Sequence, residues 1–133
     1  GPLMRAGHAC NGRYDVVARY PGVEAFDARC FDAERLRGAD YIITNPPWSR
    51  DVLHELIDVL PRLAPTWLLF DADWMHTRHA DGRMRHCTAI VSVGRVKWMR
   101  HSAHAAKDNC CWYLFDSRSI ACAGPVFLRR AVA

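Results

Sequence analysis

The sequence predicts an open α/β sheet that ends in an antiparallel pair of strands. Three observations predict it: apolar, strand-like runs at 40–45 and 67–72, an amphipathic helical pattern between them at 51–60, and two strand-like arms at 95–99 and 111–115 separated by a polar stretch. Strand, helix, strand, helix, strand and a final antiparallel pair is the pattern of an open α/β sheet. In such sheets ligands gather outside the carboxyl ends of the strands.

The elements follow in order. Residues 13–20 carry Val16, Val17 and Tyr20 at helical spacing and stop at Pro21-Gly22, which predicts a helix. Residues 23–27 read as a short strand, and a brief segment at 34–37 ends at Gly38. Residues 40–45 hold a β-branched run and read as a buried strand that ends on a Pro-Pro turn. Val52, Leu53, Leu56, Ile57, Val59 and Leu60 recur at three- and four-residue spacing, so 51–60 is an amphipathic helix closed by Pro61. After the strand at 67–72, residues 75–86 are polar and weakly patterned, a loop with some helix, and 88–93 resume strand character. Residues 100–109 are too polar to be buried. With no repeat or low-complexity tract, 4–133 read as one domain, and Gly1-Pro2-Leu3 as the remnant of a cleaved tag.

Composition excludes several classes. A chain of 133 residues with 50% hydrophobic and 24% charged residues has the make-up of a globular domain rather than of a disordered one. The longest apolar run, 67–70, is far too short for a bilayer, and no export signal is present, so the expectation is a soluble, cytoplasmic protein that makes no membrane contact. Eighteen Lys plus Arg against fourteen Asp plus Glu leave +4, which favours an anionic partner. Arg95, Lys97, Arg100, His101, His104 and Lys107 surround Trp98, a mixture that suits phosphates and bases, although a solvated basic loop has the same composition. Six cysteines without an export signal read as reduced thiols. His76, His79, His86 and Cys87, or His101, His104, Cys110 and Cys111, supply zinc-type ligands, but without paired Cys-x-x-Cys spacing the expectation is no metal.

The strand at 40–45 ends on Asn45-Pro46-Pro47-Trp48, and a helix begins a few residues later. Asn and Pro also form plain turns. In this setting the segment resembles the active-site signature, Asn or Asp followed by Pro-Pro-aromatic, of the S-adenosylmethionine-dependent amino methyltransferases. That family includes adenine-N6 DNA methyltransferases, amino methyltransferases of RNA bases, and enzymes that methylate a protein glutamine amide. Residues 67–74, 94–98 and 107–115 are similar to segments of its small bacteriophage-type members. The resemblance implies a Rossmann-like class I methyltransferase sheet and S-adenosyl-L-methionine as cofactor. It implies the exocyclic amino group of adenine in DNA as target, in a bacterial or phage-infected cell and a restriction-modification setting. An RNA base or a protein glutamine is the alternative target, and a catalytically silent module that binds nucleic acid or a partner is the alternative role.

An exocyclic amine delocalises its lone pair into the ring and is a weak nucleophile. The resemblance implies that the Asn45 side-chain oxygen and the Pro46 carbonyl accept its two N–H bonds and localise that lone pair. Pro46 and Pro47 would fix both acceptors in advance. Trp48 would stack the target base, a contact worth about 1–3 kcal/mol.

For the cofactor, the resemblance implies a glycine turn at Gly7 and Gly12, a ribose-holding acid at Asp27, adenine recognition by Asp32, and contact with Asn45. Asp71, Asp73 and Trp74 would line the target pocket. Lys97 and Lys107 would meet phosphates, and Trp98 would present the base. One departure stands out. Only Met4, Arg5 and Ala6 precede Gly7 after the leading tripeptide, too few for the first and central strand of the sheet. The fold is therefore expected to be compact or truncated at its N-terminus. The strand-like residues 125–132, a second copy or a partner subunit would fill the gap.

Overall fold

The computed structural model describes residues 2–97, 107–119 and 123–130. Along them lie α1 (Pro2–Arg5), β1 (Tyr14–Asp15), β2 (Glu24–Ala25), α2 (Ala33–Leu36), β3 (Ile42–Thr44), α3 (Arg50–Val59), β4 (Thr66–Asp71), α4 (Asp81–Met84), β5 (Cys87–Arg95), β6 (Asn109–Phe115) and β7 (Val126–Arg129). Five strands form one mixed sheet in the order β3-β4-β6-β5-β7. β3 and β4 are parallel, β6 is antiparallel to both β4 and β5, and β7 lies parallel to β5. The chain is thus mixed α/β with an antiparallel pair, β5 and β6, beyond the parallel strands. No helix among the described residues is long and apolar enough to cross a membrane.

Helix α3 forms where the spacing places it, and its buried Leu53, Leu56 and Ile57 make one stripe. Proline at 61 lacks the N–H that an α-helix needs, and the chain tightens into a 3-10 turn over Leu60–Arg62. Leu53 and Ile57 then pack on one sheet face with Leu68 and Phe70 of β4, Ile90 of β5, and Tyr113 and Phe115 of β6. Burying each large apolar side chain contributes about 1.5–3 kcal/mol, so this layer is the main source of cohesion. Its centre is aromatic, with Phe70 stacked on Tyr113 at 4.3 Å. Thr66, the polar residue buried in this region, donates its hydroxyl to the Ala64 carbonyl at 2.8 Å. On the other face Trp67, Val91, Trp112 and Leu114 are half-buried, while Ile43, Val126 and Leu128 are exposed.

Four expectations need correction. Residues 13–20 are not a helix: Tyr14 and Asp15 form β1, and Val16, Val17 and Tyr20 are all exposed. Helical spacing without a surface to bury it supplies no tertiary stabilisation, and a short isolated helix is marginal in water. The strand at 40–45 shortens to Ile42–Thr44 and sits at the sheet edge, with Tyr41 53% and Ile43 47% exposed, rather than buried on both sides. The partner of β6 is not an arm at 95–99 but β5, which runs unbroken from Cys87 to Arg95. Gly94, at φ +80°, lies at a register shift between Ser92 and Gly94, so the glycine between the expected strand at 88–93 and the expected arm at 95–99 is a bulge within one strand. Finally, the C-terminal segment does join the sheet as β7, but beside β5, at the edge opposite β3.

The N-terminal part makes its own small assembly. β1 and β2 pair only with each other, and Tyr14, Phe26 and Phe31 meet edge-to-face beside them. Arg35 lies over the Phe26 ring at 3.9 Å. The 3-10 turn Ala28–Cys30 joins this assembly to α3. Among the described residues no strand pairs with the outer side of β3.

Candidate active site

Strand β3 ends at Thr44, and the tetrapeptide carries the chain from there to α3. Asn45 is exposed, Pro46 is buried, Pro47 is exposed and Trp48 is half-buried. Two successive prolines hold φ near −65° and disfavour helix in the residue before each, so α3 starts only at Arg50. The turn is tied down across the sheet: the Trp48 indole N–H donates to the Leu69 carbonyl of β4 at 3.2 Å. Trp48 also packs against the core. The carboxyl ends of β3 and β4 therefore face the same side, with Asn45 after one and Asp71 closing the other.

Beside Trp48 an open cleft of about 170 Å³ is walled by Arg50, Leu53 and His54 of α3 and by Asp71, Trp74 and His79. An apolar cavity of roughly 150 Å³ accepts one benzene ring, whereas whole drug-sized ligands occupy about 300–1,000 Å³. The cleft suits a single ring. Asn45 and Asp27 are not among its lining residues. The backbone at Asp71, in its wall, is anchored by Tyr113, whose hydroxyl donates to the Asp71 carbonyl at 2.9 Å and the Ala72 carbonyl at 3.2 Å. Burial pushes the Tyr113 hydroxyl well above its ordinary range, so it remains a donor.

His54 is the polar centre of the cleft. Its Nε2 accepts the Trp74 indole N–H at 3.0 Å, and its ring lies 5.2 Å from that of His79. Burial lowers its pKa first; Arg83, His79 and Arg50 lower it further, and Asp58 opposes them. A neutral ring that accepts at Nε2 carries its proton on Nδ1. The folded state thus binds a proton less readily than the unfolded chain. Stability should fall as pH drops through the ordinary histidine value of about 6.5 and should be unaffected by His54 above it. In urea melts between pH 5 and 8, His54→Gln, whose amide oxygen can still accept from Trp74, should remove the part of the acid-side loss due to His54. An unchanged pH profile would show that His54 is protonated alike in both states.

The cofactor candidates lie in the N-terminal assembly. Gly7 follows α1 in a turn at φ +90°, and at Gly12 a Cβ would meet the Tyr14 ring at 2.7 Å, so that glycine accommodates a side chain of its own fold. Asp27 caps the 3-10 turn Ala28–Cys30: it accepts from the Arg29 backbone N–H at 2.9 Å and forms an ion pair with the Arg29 guanidinium at 2.6 Å. The guanidinium holds its carboxyl down at about 2. Asp32 caps α2 and pairs with Arg35 at 3.4 Å. Both carboxylates are chemically suited to a ribose or an adenine, being acceptors only, but each is already engaged. Both pairs are exposed to solvent, which screens them, so releasing the carboxylates costs little.

The nucleic-acid candidates divide. Asp73 is exposed beside the cleft, its backbone N–H held by the Asp71 carboxylate at 3.0 Å. Trp74 lines the cleft and belongs to the core at once: it is 7% exposed, with Phe70, Tyr113 and Phe115 edge-on around it at 5.1–6.1 Å. Lys97 and Lys107 are exposed just beyond β5 and before β6. Because Asp71 pairs with Cys110 and Arg95 with Asn109, both lysines leave the sheet at the same end as the tetrapeptide. Trp98, Arg100, His101 and His104 lie outside the described residues. No group of three or more His, Cys, Asp or Glu that could hold a metal ion occurs among the described residues, and burial pushes the Cys87 thiol up to about 12.

Sequence reasoning missed His54 and Arg50 as cleft residues. The available signal was the helical period itself: His54 follows Leu53, so it flanks the buried stripe of a helix whose N-terminus abuts the tetrapeptide. Comparison with protein-family models, with curated proteins and with solved structures yields no match to this chain.

Proposed function

We propose that the chain takes part in methyl transfer from S-adenosyl-L-methionine to the exocyclic amino group of adenine in DNA. The observation that carries this reading is the Asn45-Pro46-Pro47-Trp48 turn at the carboxyl end of a parallel strand, pinned through Trp48 to β4 beside a cleft of single-ring size. Asn45 and the Pro46 carbonyl orient the amine, and Trp48 stacks the ring. Lys97 and Lys107 hold phosphates on either side of the segment between β5 and β6. The cofactor supplies an electrophilic methyl group on a sulfonium; Asp27 accepts from its ribose hydroxyls once Arg29 has swung away, and Asp32 recognises its adenine. The class I, Rossmann-like arrangement is part of the same proposal, with the open edge of β3 completed by a second copy or a partner subunit.

A second reading is favoured by two observations: the cleft is too small for the whole cofactor, and both acids are already held by arginines. On that reading the chain binds a flipped base or a partner and transfers nothing. Incubation with S-adenosyl-L-methionine and adenine-containing DNA, RNA and protein substrates in competition, with products resolved by mass spectrometry, separates these readings. N6-methyladenine in the DNA is the expected product; methylated RNA or glutamine would move the target, and no product alongside saturable base binding would establish the silent module.

A further inference from the structure

A second cleft, of about 160 Å³, lies at the far end of the sheet from Asn45. Its position follows from the register: Phe115, in its wall, pairs with Thr66 and Cys87 at the opening residues of β4 and β5, whereas Asp71 pairs with Cys110 at the tetrapeptide end. Three arginines, Arg62, Arg83 and Arg85, line it against one carboxylate, Asp58, over an apolar floor of Ile57 and Phe115. The cleft thus concentrates positive charge on a low-dielectric wall, the arrangement that focuses a field on an incoming anion.

The arginines are not equivalent. Arg83 is committed: Nε and Nη2 bind both Asp58 oxygens at 2.8 and 2.7 Å, and Nη1 donates to the His79 carbonyl at 3.0 Å. Arg85 is aimed by His86. The His86 Nδ1 lies 2.9 Å from the Ser119 carbonyl, which can only accept, so Nδ1 carries the proton and Nε2 of the neutral ring accepts the Arg85 Nε–H at 3.3 Å. That contact orients the Arg85 guanidinium and leaves both terminal nitrogens without an acceptor among the described residues. The Arg62 guanidinium has no hydrogen-bond or ion-pair partner there at all.

We propose that this cleft binds a phosphate group, presented either by a free phosphate ligand or by the backbone of a nucleic-acid strand. Planar guanidinium forks match phosphate oxygens two at a time, and a bound anion relieves the mutual repulsion of the three cations. The site is independent of the methyl-transfer reading, because it lies at the other end of the sheet and uses none of the same residues.

The test titrates the whole chain with inorganic phosphate and, separately, with a short oligothymidylate, at low and moderate salt. Arg62→Gln/Arg85→Gln should weaken binding by about tenfold or more, since each charge-assisted bond lost is worth that order. Arg5→Gln/Arg78→Gln, which removes the same charge from exposed positions elsewhere, should leave affinity within about twofold. Loss confined to the oligothymidylate, with a salt dependence flatter by about one or two counter-ions, assigns the cleft to a strand backbone. Loss for inorganic phosphate alone assigns it to a free ligand, and loss for both assigns it to the shared group. Arg62→Lys/Arg85→Lys, which keeps the charge but not the fork, should fall between wild type and the glutamine pair. Absence of binding by either probe, or equal loss in the two glutamine pairs, overturns the proposal.

Discussion

Trp74→Ala should lower the free energy of unfolding by about 3–5 kcal/mol, the range for removing a large aromatic side chain from a core. That is a large share of the roughly 5–15 kcal/mol that holds a domain together. Two separate losses add. The ring leaves a void against Phe70, Tyr113 and Phe115, all at edge-to-face distances. Its N–H also leaves His54 Nε2 without a donor. Trp74→Phe retains most of the ring contact and loses the N–H, so it should cost about 1–2 kcal/mol. Asp73→Ala, at the exposed neighbour, should change stability by no more than about 0.5 kcal/mol. Urea unfolding of the three variants decides between core and ligand platform. If Trp74→Ala unfolds like wild type and instead loses affinity for nucleic acid, the core assignment is wrong.

The same residue shows what was legible in the sequence and what was not. Periodicity found α3, β4 and β6, because each buries one stripe or face in the common core, and the pattern is the direct imprint of that burial. It failed at Val16, Val17 and Tyr20, where apolar residues at helical spacing meet no surface. It split β5 at Gly94, since a glycine in a bulge and a glycine in a turn look alike until the strand across from it is known. The edge that β7 joins was equally hidden: strand propensity says that Val126–Arg129 can pair, but not with which neighbour. For the candidate site, residue type and placement singled out the tetrapeptide as a candidate, while His54 and His79 became neighbours only through the packing of α3 against the turns after β4.

On the proposed methyl-transfer reading, Asn45→Ala should reduce the rate by about 10²–10³-fold in kcat, the effect of deleting one pre-positioned polar group that acts on the reacting centre in the transition state. The geometry makes this a clean experiment. Asn45 is exposed, one residue past the end of β3, so its truncation should cost the fold no more than about 0.5 kcal/mol. Pro46, buried in the same turn, and Trp48, held on the Leu69 carbonyl, remain to keep the backbone in place. Loss of rate with unchanged stability and unchanged base affinity would then mean that the acceptor acts on the amine in the transition state. Asn45→Asp keeps an acceptor oxygen of nearly the same reach and should retain a measurable part of the rate, whereas Asn45→Leu, of similar volume without an acceptor, should behave like alanine. A shift in KM alone would make Asn45 a binding contact. If all three variants transfer methyl groups like wild type, the amine is oriented elsewhere, and the tetrapeptide is a turn that positions Trp48 over the cleft.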